Sequence, residues 1–212
     1  MKPYYQDKWV TIYNADCREI LPQLEPVDLV LTDPPYGNNM QYGAYNDTKD
    51  SLKNLVGGVF EIMRSKSKRM LVTCGVGNIY LWPEPDWVLL WVSTAGVGSG
   101  KWGFCCWQPI LAYGSDPFLA NAQGRRPDLI MSNKSSGKYE HPCPKPVNLW
   151  LQLMARGSAS TDDLILDPFL GSGTTCYCAK KLNRKSIGIE IEEKYCEIAA
   201  KRCSQEVMEL NI

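Results

Sequence analysis

An acid, two prolines and an aromatic ring stand together at Asp33-Pro34-Pro35-Tyr36, directly behind the apolar run Leu29-Val30-Leu31. That set suits one kind of chemistry. An exocyclic amino group conjugated with a heteroaromatic ring is a poor nucleophile, because its lone pair is delocalised. Two acceptors that bind its two hydrogens favour a more tetrahedral nitrogen. Asp33 supplies a carboxylate and Pro34 a backbone carbonyl. Neither Pro34 nor Pro35 brings an N–H that competes for the lone pair. Tyr36 offers a flat face to an extruded base, a stack worth ~1–3 kcal/mol. The rigid Pro-Pro pair holds both acceptors ready, and Gly37 lets the chain turn away. A proline-rich turn closing a strand is the plain alternative.

A second set lies at 164–175, Leu-Ile-Leu-Asp-Pro-Phe-Leu-Gly-Ser-Gly-Thr-Thr. A strand runs into Asp167, a turn carries Gly171 and Gly173, and a helix follows. Glycine permits positive φ and close backbone approach. Seventeen residues past Gly173 the run Ser186–Glu190 ends in an acid placed to bind ribose hydroxyls. No Gly-Lys-Ser/Thr follows the glycines, which excludes a P-loop. The third glycine of a dinucleotide fingerprint is replaced by Cys176. Asp167 repels a pyrophosphate and attracts an ammonium. These features favour S-adenosyl-L-methionine, which carries an ammonium, a carboxylate and a ribose but no phosphate, over NAD.

The elements that must position these groups alternate between strand and helix. The pattern predicts strands at Trp9–Tyr13, Asp28–Thr32, Met70–Thr73, Trp87–Val92, Ile110–Tyr113, Leu129–Met131, Leu164–Leu166 and Ser186–Ile191. It predicts helices at Cys17–Leu24, 48–64, 145–156, Ser172–Leu182 and 192–209. Leu52, Leu55, Val56, Val59, Phe60 and Met63 fall on one face of the second. Pro146 falls in the first turn of its helix, where a missing donor costs little. The Gly/Ser-rich stretch 93–103 reads as loop. Such alternation argues an α/β fold with a mostly parallel sheet and helices on both faces.

The 212 residues suit one domain, with a loop-heavy segment at about 93–141 between the two halves at about 1–92 and 142–212. Acidic and basic residues number 23 each, so nucleic-acid contact must come from a local basic patch. No apolar run approaches the ~18 residues that cross a bilayer, and the first residues lack a signal-peptide core. The nine cysteines form no CxxC pair and there is a single histidine, so the expectation is free thiols and no metal.

The chain resembles the amino-DNA methyltransferases that act on adenine N6 or cytosine N4, in the permuted subgroup whose catalytic half comes first. The matching stretches, in order, are 12–21, 27–37, 141–154, 165–175 and 186–202. The resemblance implies a Rossmann-like methyltransferase fold and S-adenosyl-L-methionine as cofactor. It implies double-stranded DNA as substrate, a restriction endonuclease as companion, the cytoplasm as location, and a monomer or homodimer. Asp33, Pro34, Pro35 and Tyr36 match the catalytic loop. Asp167, Pro168, Phe169, Gly171 and Gly173 match the cofactor turn, Glu190 the ribose acid, and Asp16, with Cys17 beside it, the acid that binds the cofactor adenine. His141, Pro142 and Lys145 match the segment over the methionine end. Cys143 and Pro144 depart from the family's hydroxyl residue and Gln there, a loss for which Thr174 and Thr175 compensate. An Asp at the first position of the catalytic motif resembles adenine enzymes more than cytosine ones. A cytosine-N4 enzyme, an RNA or protein-amide methyltransferase and a non-catalytic nucleic-acid-binding subunit stand as alternatives.

Target recognition is left to 38–140. Arg125, Arg126, Lys134, Lys138 and Lys101 are candidates for a phosphate-binding rim, with a solvated surface as the alternative. Residues 38–50 suit a loop that closes over an extruded base. Trp107 is a candidate wall of the base pocket.

Overall fold

A computed structural model of the chain describes residues 2–40, 42–43, 45–133 and 145–205. Strand β1 (Tyr5–Gln6) pairs antiparallel with β2 (Val10–Asn14). Helix α1 (Cys17–Ile20) is capped by the Asp16 side chain and tightens into a 3-10 turn at Leu21–Gln23. Strand β3 (Val27–Thr32) is apolar on both faces, as an interior parallel strand must be. Helix α2 (Lys49–Lys66) begins where the Thr48 hydroxyl accepts from the Ser51 amide. All six residues of its predicted apolar face are buried.

Strands β4 (Ser67–Thr73) and β5 (Trp87–Val92) follow, then a hairpin of β6 (Gly98–Gly100) and β7 (Gly103–Cys105), then β8 (Trp107–Tyr113). A short α3 (Pro117–Ala120) and β9 (Leu129–Met131) precede α4 (Val147–Gly157). The last elements are β10 (Leu164–Asp167), α5 (Thr174–Lys181), β11 (Lys185–Glu190) and α6 (Glu193–Ser204).

Nine strands form one sheet in the order β1-β2-β11-β10-β3-β4-β8-β5-β9. From β2 through β4 the pairings are parallel; β8 runs antiparallel between β4 and β5. The alternation of β3 splits the core in two. Val30 packs on the side of α1 and α2 with Val59, Met63 and Met70. Leu29 and Leu31 pack on the other side with Leu149, Trp150 and Leu153 of α4. Cysteines Cys176, Cys196 and Cys203 join Val10 and Ile12 in a third cluster under α5 and α6, where they serve as small apolar side chains.

From β10 the chain crosses through α5 to β11 on one side. From β3 it crosses through α2 to β4 on the other. The switch point therefore lies between β10 and β3, and the crevice for a ligand opens at their carboxyl ends.

The mostly parallel α/β expectation holds. Several details differ from the sequence reading, element ends among them. Residues 98–105 make a hairpin where the Gly/Ser content reads as loop. Pro146 caps α4 and does not enter its first turn, and α5 starts at Thr174 after the glycine turn.

Leu29 is fully buried at the centre of the sheet. Its replacement by alanine is expected to lower stability by ~2–5 kcal/mol through the cavity it leaves. An unchanged urea midpoint and slope for Leu29→Ala would show that this centre is not packed as described.

Candidate active site

The two motifs meet at the switch point. The hydroxyl Oγ1 of Thr32, the last residue of β3, donates to Asp167 Oδ1 at 2.6 Å across the β3–β10 boundary. Asp33 follows at once. A crevice of about 360 Å³ opens here, lined among others by Asp33, Pro35, Asp167, Phe169 and Glu190.

Asp167 is only 2% exposed. Its carboxylate accepts from the Thr32 and Thr175 hydroxyls and from the Phe169 amide at 3.0 Å. Among the described residues no lysine or arginine forms an ion pair with it. Burial outweighs the hydrogen bonds and pushes its pKa up to about 6. Thr175 Oγ1 in turn accepts from Trp150 Nε1 at 2.7 Å, so α4 braces the acid through one hydroxyl.

The glycine turn fixes the next acid. Gly171 and Gly173 have φ of +53° and +81°. A Cβ on Gly173 would lie 2.9 Å from Ala199 Cα, so α5 and α6 approach as closely as they do only with glycine there. The Gly171 amide donates to Glu190 Oε2 at 2.8 Å and the Glu192 amide to Oε1 at 2.9 Å. Burial raises the Glu190 pKa. On the same rim Asp16 caps α1 through the Arg18 amide at 2.9 Å and pairs with the Arg18 guanidinium, above the buried Cys17. Pro168 continues the lining between Asp167 and Phe169. Thr174 and Thr175 also line the crevice, but both hydroxyls are engaged: Thr174 Oγ1 accepts from Arg202 at 2.9 Å.

The catalytic-type loop carries contacts that its sequence does not announce. The Tyr36 hydroxyl donates to Asp33 Oδ1 at 2.7 Å. Thr73 Oγ1, at the end of β4, donates to the same oxygen, and Lys145 Nζ holds Oδ2. The Lys145 ammonium also stands 4.9 Å from the centre of the Tyr36 ring. Burial, then the Asp33 carboxylate, raise the Tyr36 pKa, so the phenol keeps its proton. Asn78 donates to the Tyr36 carbonyl. The buried Asp47 accepts from the amides of Gly37, Asn38 and Met40 at 2.6, 3.0 and 3.1 Å. That anchors the exit of the loop.

Thr73, Asn78 and Asp47 were not singled out in the sequence. The only signal for Thr73 is its place at the end of the strand next to β3. Beyond Asp47's anchor, Tyr42 and Tyr45 reach the same crevice. The Tyr45 hydroxyl is buried there with no hydrogen-bond partner among the described residues.

Lys145, expected over the methionine end of a cofactor, lines the crevice with Asp167 and Glu190, and its ammonium is on the Asp33 carboxylate. Lys145 stands two residues before α4, and an ammonium there meets the nearest carboxylate. Arg125 and Arg126 do not flank the crevice. They precede β9, which runs parallel to β5 and hence to β4, so they lie at the opposite end of the sheet from Asp33. Arg126 is also tied down, pairing with Asp116 at 2.7 Å and donating to the Ala155 and Arg156 carbonyls. Lys134, Lys138, His141, Pro142, Cys143 and Pro144 lie outside the described residues. Pro34 is buried behind Asp33, and Trp107 is 40% exposed at the start of β8.

Comparison with known proteins adds one family match, two relatives and two solved structures. The sequence profile of a family described as DNA methylase (N6_N4_Mtase) matches residues 107–201. The type II methyltransferase M.ScaI of Streptomyces caespitosus is 26% identical, over 99% of this chain and 86% of its own. M.HinfI of Haemophilus influenzae is 28% identical, over 95% and 70%. Among solved structures, the complex of M1.HpyAVI with SAM superposes at TM-score 0.69 with 23% identity, covering 92% of this chain and all (100%) of that one. The PvuII DNA methyltransferase (cytosine-N4-specific) superposes at 0.76 with 18% identity, covering 100% and 90%. These two likenesses speak to the fold.

The raised pKa of Asp167 makes a stability prediction for the ligand-free protein. A carboxyl group with a higher pKa folded than unfolded contributes stability that is full below the unfolded value near 3.8 and lost as pH rises through about 6. Asp167→Asn is therefore expected to match or exceed the wild type in stability by up to ~2 kcal/mol at pH 8. It is expected to lose that advantage near pH 4. Urea unfolding at both pH values checks this; a variant less stable at pH 8 than at pH 4, relative to wild type, contradicts it.

Proposed function

We propose that this chain, an S-adenosyl-L-methionine-dependent DNA methyltransferase of the amino (N6/N4) class, methylates the exocyclic amino group of a base turned out of duplex DNA, with adenine N6 as the preferred acceptor. The observation that supports it most is the Thr32–Asp167 hydrogen bond. It sets the acid suited to a cofactor ammonium beside the acid suited to a target amine.

The crevice fits this cofactor. Asp167 is a buried carboxylate with no cation among the described residues, and the ammonium of an amino acid is the partner it lacks. Glu190 faces the ribose hydroxyls, with its backbone contacts holding the carboxylate in place. Asp16 accepts from the adenine amino group and Phe169 packs on the ring. The buried Tyr45 hydroxyl is a further polar group awaiting a partner. S-Adenosyl-L-methionine supplies an electrophilic methyl on a sulfonium.

On the other side, Asp33 and the Pro34 carbonyl accept the two hydrogens of the target amine and orient its lone pair along the line of displacement. Positioning of this kind accounts for most of the acceleration, and no covalent enzyme intermediate is needed. Pro35 keeps the loop rigid, and Tyr36 stacks on the base. Lys145 stands where the amine and the ring must come. Its ammonium holds the Asp33 carboxylate in place and yields that position as the base enters. Adenine is preferred because the first position of the motif is Asp33. The chain acts as one domain on double-stranded DNA, beside a restriction endonuclease in the cytoplasm. The type II relatives support that setting, and among the described residues no helix is long and apolar enough to cross a membrane.

Mass spectrometry of nucleosides from DNA treated with the protein and S-adenosyl-L-methionine is expected to show N6-methyladenine. N4-methylcytosine alone would reject the base assignment and leave the roles of Asp33 and Pro34 standing; no methylated nucleoside would reject the proposal. Asp33→Ala is expected to lower transfer at least ~100-fold while calorimetry finds cofactor affinity within ~3-fold. Equal loss of cofactor binding would move Asp33 to the other side of the site. Wild-type cofactor affinity is expected to rise with pH through about 6 as Asp167 ionises, and Asp167→Asn to bind weakly at every pH. A flat wild-type profile would detach the ammonium from Asp167.

A further inference from the structure

The hairpin β6–β7 has no role in the site as described, yet it carries the most exposed aromatic side chains of the described residues. Trp102 is 103% exposed and Phe104 87%. The two strands pair Gly98 with Cys105, Ser99 with Phe104 and Gly100 with Gly103, leaving Lys101 and Trp102 as the two-residue turn. Gly98 and Gly103 have no atom within 4 Å of a would-be Cβ, so these glycines do not serve close packing inside the protein. They make the ribbon thin. Its base is fixed: Val97 is buried among Trp91 and Ile110, its amide donates to the Cys105 carbonyl at 2.7 Å, and the Ser93 amide donates to the Cys106 carbonyl at 2.8 Å.

Of the ribbon's residues Cys105 packs on the core, and a two-stranded ribbon adds little stability by itself. Its exposed rings are not used by the fold and are free to meet a partner. Its position names the partner. It joins the carboxyl end of β5 to the start of β8, so it rises from the same end of the sheet as Asp33. The second residue of β8, Gln108, reaches the Tyr36 hydroxyl at 3.4 Å. The ribbon is thus continuous with the wall of the target-base site. The exposed Tyr80, with Lys49 5.9 Å from its ring, and Met131 lie at the same end. Rings interleaved with lysines fit a partner with stacked π-faces and phosphates.

We infer that the β6–β7 hairpin is a wedge that opens duplex DNA: Trp102 stacks in the gap the extruded base leaves, Phe104 packs on the flanking pair, and Lys101 meets a phosphate. Such wedges lower the cost of keeping a base out of the stack. This rests on the DNA methyltransferase reading above.

The test compares methyl transfer to a duplex and to the same target as a single strand, for the wild type, W102F and the double variant W102A/F104A. The double variant is expected to lose about 10-fold or more in kcat/KM on the duplex and to stay within about 2-fold on the single strand, which needs no opening. W102F is expected to keep most of the duplex activity. Fluorescence of 2-aminopurine at the target position is expected to rise on binding of the wild type and to rise less with the double variant. Equal losses on both substrates, or none on the duplex, would overturn the wedge while leaving the enzyme's assignment intact. Altered sedimentation with unchanged duplex activity would make the hairpin a contact between copies, and overturns it too. A wild type that methylates no DNA would sink the proposed function and this inference together.

Discussion

A carboxylate buried with no cation among the described residues is the constraint on which the site depends. Asp167 lies at the end of β10, and removing its charge from water is costly enough to raise its pKa to about 6. The surroundings are arranged to limit that cost with neutral donors. Thr32 comes from the neighbouring strand, Thr175 from the following helix, and the Phe169 amide from the turn between. Each donor also fixes something else. Thr32 sets the spacing of β3 to β10 and so places Asp33. Thr175, accepting from Trp150, locks α4 against α5. The hydrogen bonds that satisfy this buried acid thus also align the two halves of the crevice.

The loop after β3 follows the opposite rule. Asp33 is surrounded by donors, from Tyr36, Thr73 and Lys145. A carboxylate with an ammonium and two hydroxyls is well satisfied, so its geometry is set before any substrate arrives. The adjacent prolines add no donors and allow little backbone motion. In the function proposed above, a substrate amine exchanges with Lys145 at this carboxylate, a neutral donor for a cation. Among the described residues one acid has a cation and the other has none.

Much of this was legible in the sequence, and the legible parts are local. The apolar face of α2 follows from its spacing, because side chains three and four residues apart share a face of any helix. The turn at Gly171 and Gly173 follows from the φ values that only glycine adopts cheaply. The strand ends at Thr32 and Asp167 follow from apolar runs that stop at polar residues. The pairing of Asp33 and Asp167 was legible only through the α/β alternation, which puts ligands at the carboxyl ends of strands.

What the sequence determined by itself is the kind of fold, the two motifs and the acids at their centres, because periodicity and turn chemistry act within a few residues. Tertiary structure alone decided which groups those acids meet. Lys145 stands 112 residues from Asp33 along the chain, and nothing in its neighbours directs it to that carboxylate. Arg125 and Arg126 look like a basic rim until the strand order sends them to the far end of the sheet. Lys101 and Trp102 fall in a stretch that reads as loop, and only the folded hairpin shows Trp102 and the adjoining Phe104 left in water. Electrostatic partners and solvent exposure depend on what other segments bring alongside, and that is set by strand order.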